Sequence, residues 1–246
     1  MSDVVAVLEQ DDDPQVLAMA ATMATLLGCG SRQTTVPSGT DRDGRSDAIT
    51  AALRDDDLAV LHAGGPESVC WDVIRRVTTP VMVLPQHPRV PARVTEVLLP
   101  LDGAPGTAAA VAAMAQRLVG AGVHVTAMHV FDAATAPAFW DQAAHSYEHW
   151  TEEFLLRNLP WAVELDLRRG RSCDEVVTRA EHSDADLLMV GWGQDLGGGR
   201  AQTVLQALTA GHVPLLLLPV TPQDLRPQSE DLAPSTTPPP TRHREA

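Results

Sequence analysis

The chain has 246 residues, 44% of them hydrophobic but only 4% aromatic, and a formal charge of −14 from 18 basic against 32 acidic side chains. That length holds one large or two small domains with aliphatic cores, and the charge opposes a nucleic-acid backbone or an anionic membrane as partner. Every basic residue is arginine, which excludes a P-loop lysine, a kinase strand lysine and a Schiff-base lysine together.

In chain order, Val4–Leu8 reads as a short apolar strand that enters the turn Asp11-Asp12-Asp13-Pro14 and then a helix rich in Ala, Met and Leu. The polar stretch Gly30–Ser46 follows, with little of the hydrophobic patterning of a core element. Apolar runs at Asp57–Leu61 and Val81–Leu84 read as further strands, and Pro85, Pro88 and Pro91 mark a linker. The second half is fuller. It predicts strands at Val94–Leu101, Val123–Phe131, Trp161–Leu167, Leu187–Val190 and Leu215–Leu218. Helices are predicted at Gly106–Gly120, Ala138–Leu159, Asp174–His182 and about Ala201–Ala210. Such alternation argues for parallel strands covered by helices on both faces. Beyond Thr221 the chain is proline-rich and poor in apolar residues, the composition of a disordered tail.

The two halves repeat one statement. An offset of 91 pairs Asp11 with Asp102, Pro14 with Pro105, Met23 with Met114 and Ala24 with Ala115 without a gap. Each half also closes alike, on Val81-Met82-Val83-Leu84-Pro85 and on Leu215-Leu216-Leu217-Leu218-Pro219. This duplication predicts two α/β units: a truncated one over 1–86, a linker over 87–92, a full one over 93–220 and the tail over 221–246. The closing strands would be apolar sheet edges if left alone, so the units are expected to hide them against each other as an intrachain pseudo-dimer. Association of whole chains into a homodimer is left open.

Three scattered cysteines, Cys29, Cys70 and Cys173, suit neither a disulfide framework nor a structural zinc site, and point to a reducing compartment. The N-terminus has neither a basic leader nor a long apolar stretch, and the run at Leu215–Leu218 is too short to span a bilayer. A soluble, cytoplasmic protein is expected.

In open parallel sheets ligands bind beyond the carboxyl ends of the strands, where strand order reverses. Two segments are expected to meet there. One is Asp102-Gly103. The other is the loop Gly191-Trp192-Gly193-Gln194-Asp195-Leu196-Gly197-Gly198-Gly199-Arg200, which runs into a helix. Glycines admit close backbone approach, helix N–H groups favour phosphate oxygens, and Arg200 adds a charge. A carboxylate at the first strand suits a base amino group or a ribose hydroxyl instead. The plainer alternative is a flexible turn beside a solvated aspartate.

These residues resemble the universal stress protein family over nearly all of 93–220. The likeness rests on Pro100-Leu101-Asp102-Gly103, Met128-His129-Val130, Ala185–Gly191 and Val213–Leu218. The resemblance implies flavodoxin-like (adenine nucleotide alpha hydrolase-like) three-layer α/β/α units with parallel sheets, the first degenerate. It also implies a non-catalytic regulatory module that binds ATP, with Asp102 and Val130 at the positions that hold adenosine. The family's phosphate loop has the form Gly-x2-Gly-x9-Gly-Ser/Thr, and here the sequence departs from it. Gly191 is present, but Gln194 replaces the second glycine, Ala201-Gln202 stand at the Gly-Ser position, and the loop is about three residues short. Gly193, Gly197, Gly198, Gly199 and Thr203 are the candidates for a rearranged cradle. The first half has no counterpart beyond Gly64-Gly65 and is expected to bind nothing.

Two other constellations compete. His145, Glu148 and His149 fit the inverted zinc-protease spacing H-x-x-E-H, but the sequence offers no third ligand on another element, and solvent-facing histidines on a helix explain them as well. Asp11-Asp12-Asp13 resembles the acidic pocket of a phosphorelay receiver, yet His62 ends the strand where a phosphoacceptor would stand and there is no lysine. A cap on the following helix is the simpler role. The sequence therefore predicts a nucleotide-responsive binding module with no metal cluster and an unidentified protein partner. The alternative is a nucleotide-independent scaffold of the same fold.

Overall fold

The computed structural model describes residues 2–9, 13–36, 41–64, 68–131, 151–152, 154–155, 158–159, 163–194 and 199–220, the backbone alone at 199–200. Nine strands and six helices are labelled within them. They are β1 (Asp3–Leu8), α1 (Pro14–Leu27), β2 (Gly30–Thr35), α2 (Arg42–Ala52), β3 (Leu58–His62), α3 (Val69–Arg76), β4 (Val81–Leu84), β5 (Glu96–Pro100) and α4 (Pro105–Gly120). The chain continues with β6 (His124–Phe131), β7 (Glu164–Arg169), α5 (Ser172–His182), β8 (Leu187–Trp192), α6 (Gly199–Ala210) and β9 (Leu215–Pro219). Most of the helix expected over 138–159, and the tail over 221–246, lie outside the described residues.

All strands belong to one sheet in the order β2-β1-β3-β4-β9-β8-β5-β6-β7. Neighbours run parallel except β4 and β9, which pair antiparallel through Val81↔Leu217, Met82↔Leu216 and Val83↔Leu215. The two sheets expected from the repeat are thus a single continuous mixed sheet. The physical reason is the edge problem: β4 and β9 are apolar on both faces, and hydrogen bonding between them leaves neither edge open.

Alternate residues along the strands enter two core layers. Val5, Leu61, Val83, Leu188 and Leu217 join the layer under α2, α3, α5 and α6, while Ala6, Val60, Met82, Met189 and Leu216 join the layer under α1 and α4. Each layer draws on both halves of the chain. Burial on both faces is why the central strands read as unbroken apolar runs rather than alternating ones.

Both helices beneath the second layer begin with proline at their first turn, Pro14 in α1 and Pro105 in α4. Met23 and Met114 occupy matching places in that layer, as do Ala24 and Ala115. Asp13 caps α1, its Oδ1 accepting from Gln15 N and Val16 N at 3.1 Å each. Gly28 ends the helix in the left-handed region at φ +62°, where its N–H reaches Thr25 O.

Two elements differ from their sequence reading. The polar stretch after α1 contains β2, which pairs with β1 alone and is exposed along much of its length, so it carries no apolar signature. The strand predicted at Trp161–Leu167 lies at Glu164–Arg169, on the other edge of the sheet. There Asp166 takes hydrogen bonds from Arg168 and Arg179, and charged residues fit a strand that faces solvent on one side. No helix among the described residues is long and apolar enough to cross a membrane.

The β4–β9 seam yields a direct test. Leu216 is fully buried opposite Met82, so Leu216→Ala should lower unfolding free energy by about 2–5 kcal/mol through lost burial and a residual cavity. Urea unfolding measures it, and a loss well below 1 kcal/mol would show the seam to be loosely packed.

Candidate functional site

Strand β5 lies between β8 and β6 and is parallel to both, with Leu98 opposite Leu188 on one side and Pro100 opposite Met128 on the other. The chain leaves β5 toward β6 and returns on the far side as β8, so strand order reverses here. Asp102, the end of β6 and the Gly191–Trp192 end of β8 therefore share one rim of the sheet.

At the end of β5, Leu101 N donates to Met128 O at 2.8 Å and carries the ladder one residue past the strand. Asp102 is half-buried, and its Oδ1 accepts from Ala104 N at 3.1 Å, closing a tight turn. Gly103 sits at φ +81°, a conformation that needs glycine, and delivers the chain to Pro105 at the start of α4. Behind the turn lies His129, fully buried, its Nδ1 2.8 Å from Leu101 O. Its ring meets Phe131 edge-on at 4.9 Å and Phe154 at 4.8 Å. His129 thus braces the Leu101–Asp102 turn from within the core.

The end of β8 is built differently. A Cβ on Gly191 would fall 2.6 Å from Thr107 Cγ2 and 3.3 Å from Val220 Cγ2. Gly191 is required so that α4 and the chain beyond β9 can close over the strand. Trp192 is buried, and its Nε1 donates 2.9 Å to Ile74 O in the last turn of α3. Gln194, at φ +61°, donates from Nε2 to Val77 O at 2.5 Å. Both bonds satisfy carbonyls at the C-terminal end of α3 that the helix leaves without internal partners. A non-glycine residue held at positive φ costs on the order of 1 kcal/mol, a strain offset here by the tie to the other half of the chain. Gly193, between the two anchors, is exposed, with nothing within 4 Å of the space a Cβ would take.

The residues singled out from sequence divide accordingly. Asp102, Gly103 and Gly193 stand at the rim with access to solvent. Val130, Gly191 and Thr203 are buried in packing. Gly199 and Arg200 open α6, their backbone alone being described, and Gly197 and Gly198 lie outside the described residues. So do His145, Glu148, His149, Asp11 and Asp12. Among the described residues no group of three or more His, Cys, Asp or Glu side chains is placed to hold a metal ion.

Sequence reasoning missed two things. The anchoring of Trp192 and Gln194 on α3 joins residues more than a hundred positions apart, and only the departure of Gln194 from a glycine pattern hinted at it. The first half, expected to bind nothing, has a cleft of about 340 Å³ beyond β1 and β3, where His62 lies 3.1 Å from Asp13. The unexplained His62 and the acidic turn were its signal.

Helix α3, which receives both anchors, is itself held by charge. Asp72 takes hydrogen bonds from Arg42 of α2 and from Arg75 one turn along. The Arg42 hydrogen bond, helped by Arg75 and opposed by burial, keeps the Asp72 carboxyl below the usual carboxylate range.

The fold has known counterparts. A functionally unknown protein from Pseudomonas aeruginosa superposes with a TM-score of 0.56 at 15% identity, over 89% of this chain and 93% of its own. A universal stress protein from Archaeoglobus fulgidus does so with a TM-score of 0.56 at 12% identity, over 91% of this chain and 88% of its own. At such identities the likeness is one of fold, which is the three-layer α/β/α fold of universal stress proteins. No family model matches the sequence, and no curated protein matches it.

Two outcomes are expected. Gly191→Ala should destabilise the protein by about 1–3 kcal/mol through overpacking, and the cost should shrink in a Thr107→Ser background, which lacks the opposing Cγ2; equal costs in both backgrounds would place the clash elsewhere. Because the folded-state Asp72 is the stronger acid, its stabilisation is present above the ordinary carboxylate value of about 4 and is lost as pH falls through its lower folded value. Asp72→Asn should therefore unfold more readily than wild type at pH 7, with the difference shrinking in denaturant titrations as pH falls through the lowered folded-state value of Asp72.

Proposed function

We propose that this chain is a non-catalytic, universal-stress-protein-like regulatory module of the cytoplasm, formed by two copies of one α/β unit joined edge to edge, which binds an adenine nucleotide beyond β5 and β8. The observation that carries this reading is the shared rim: Asp102-Gly103 and the exposed Gly193 leave adjacent parallel strands at the reversal of strand order. The resemblance of the Asp102 and Val130 motifs supports adenosine as the recognised part.

In this reading the Asp102 carboxylate accepts hydrogen bonds from ribose or base, and bare backbone at Gly193 allows close approach. The first turn of α6, at Gly199–Arg200, faces the phosphates. Bound nucleotide would shift the population of a surface read by a partner protein. The charge of −14 and three free cysteines agree with a protein partner in a reducing compartment.

A second reading has its own observation. Trp192 and Gln194 pin the loop onto α3, so the segment in place of a phosphate loop is also a tie between the halves. A nucleotide-independent scaffold would need nothing more. Calorimetry with ATP separates the two. Under the first, wild type binds and Asp102→Ala weakens binding roughly tenfold or more, as expected for loss of hydrogen bonds to a charged acceptor. Unchanged affinity would remove Asp102 from the site, and no heat with wild type, together with no nucleotide retained on gentle purification by mass spectrometry, leaves the scaffold.

A further inference from the structure

Where β5, β6 and β7 begin, at the opposite ends of these strands from Asp102, lies a pocket of about 350 Å³ whose lining residues are all described. Its floor follows from the register. Leu98 of β5 pairs with Thr126 of β6, which pairs in turn with Glu164 of β7, and two residues nearer the rim Glu96 pairs with His124. Alternation along each strand puts these side chains on one face of the sheet. Arg179 of α5, with Asp184 and Ala185 just beyond that helix, closes the other side. The volume is at the lower end of small-molecule sites.

Three groups in this pocket have bonding capacity that the protein leaves unused. Thr126, in the middle of the floor, is only 8% exposed, yet its hydroxyl makes no hydrogen bond among the described residues. A buried hydroxyl in that state costs free energy that a ligand acceptor would recover. Arg179 is held through Nε, which donates to Asp166 Oδ2 at 2.7 Å, while its two terminal nitrogens have no partner among the described residues. A guanidinium fixed in this way offers planar donors suited to a carboxylate. Glu164 meets only His124 Nε2, at 3.9 Å, among the described residues, and His124 Nδ1 lies 2.7 Å from Glu96 Oε2. The two signs of charge are separated. Asp166, which anchors Arg179, lies two residues farther along β7 than Glu164, so the guanidinium sits inward, whereas Glu96, Glu164 and the exposed Asp184 stand toward the rim. A simple anion would be repelled at the mouth, and a simple cation would leave Arg179 and Thr126 without partners.

We infer that this pocket binds a free amino acid, its carboxylate on Arg179 and Thr126 and its ammonium group toward Glu164 and Glu96. Leu98 and Ala185, both buried, supply an apolar wall for a short aliphatic side chain. The site is separate from the proposed nucleotide crevice and does not depend on nucleotide binding being correct.

L-valine is a suitable probe, titrated calorimetrically into the full chain at about 150 mM salt, where diffuse surface attraction is screened. Thr126→Val removes the hydroxyl while keeping a β-branched side chain in the strand. Glu164→Gln removes an exposed carboxylate at the start of β7, and Asp55→Asn, exposed in the first half, controls for the overall negative charge. Acetate and ethylamine each carry one of the two charged groups. The expected result is saturable binding of L-valine, weaker by roughly tenfold or more in Thr126→Val and in Glu164→Gln, as for loss of a hydrogen bond to a charged group. Asp55→Asn and added ATP should leave it unchanged, and acetate and ethylamine should each bind far more weakly. Should Thr126→Val fail to fold, Glu164→Gln carries the test alone. Absence of L-valine binding, full affinity in a folded Thr126→Val or in Glu164→Gln, equal loss in Asp55→Asn, displacement by ATP, or acetate or ethylamine binding as tightly each overturns the assignment.

Discussion

The antiparallel ladder between β4 and β9 is the constraint on which the rest of the molecule depends. Three residue pairs, all buried, join two sets of parallel strands whose outermost members are apolar on both faces. Either edge alone would expose unpaired backbone flanked by Val, Met and Leu, a surface that invites aggregation. Joined, the ladder merges both core layers across the seam, so neither half has a core that ends at its own boundary. It also inverts one half relative to the other, and this inversion decides which loops can meet.

Because of it, the chain entering β4 lies at the rim where β8 ends. Trp192 and Gln194 consequently find open carbonyls at the end of α3, and α3 gains donors that its own helix does not provide. The loop after β8 is thus committed at its near end, Trp192–Gln194, to packing against α3. Gly191 belongs to the same economy of space, since it lets Thr107 and Val220 close over the strand end. A glycine in a loop that looks made for phosphate can be demanded by protein packing instead. Between Gly191 and Gln194, Gly193 is the glycine with nothing within 4 Å of the space a Cβ would take.

Much of the fold was legible because buried parallel strands leave continuous apolar runs, and those at 58–61, 81–84, 97–101, 187–190 and 215–218 survive as strands or strand ends. The edge strands were harder for the same reason inverted. Gly30–Thr35 has one neighbour and little burial, so nothing in its composition distinguishes it from a loop, and Glu164–Arg169 carries charges that a central strand would not. At the candidate site, sequence placed Asp102 and the end of β8 on one rim because strand alternation fixes topology. It could not separate Gly191 from Gly193, since that difference rests on where Thr107 packs. Nor could it see that His62 and Asp13, 49 positions apart, meet across the end of β1.

The two rims differ at the residue that precedes the opening helix of each half. At the offset of 91 that relates the halves, Asp13 corresponds to Ala104. Asp13 places a carboxylate on the first N–H groups of α1, whereas α4 starts at Ala104 with no side-chain cap. The positive end of α1 carries a carboxylate bonded to its own first N–H groups, whereas the carboxylate beside α4, Asp102, bonds to Ala104 N instead. The two strand reversals therefore differ at their helix starts, with a direct carboxylate cap at the first and, at the second, Asp102 bonded to Ala104 N just ahead of the helix. Divergence of this kind needs no change in sheet order, core or crossover connections. It requires only a different residue at the helix cap, which contributes about 1 kcal/mol to helix stability.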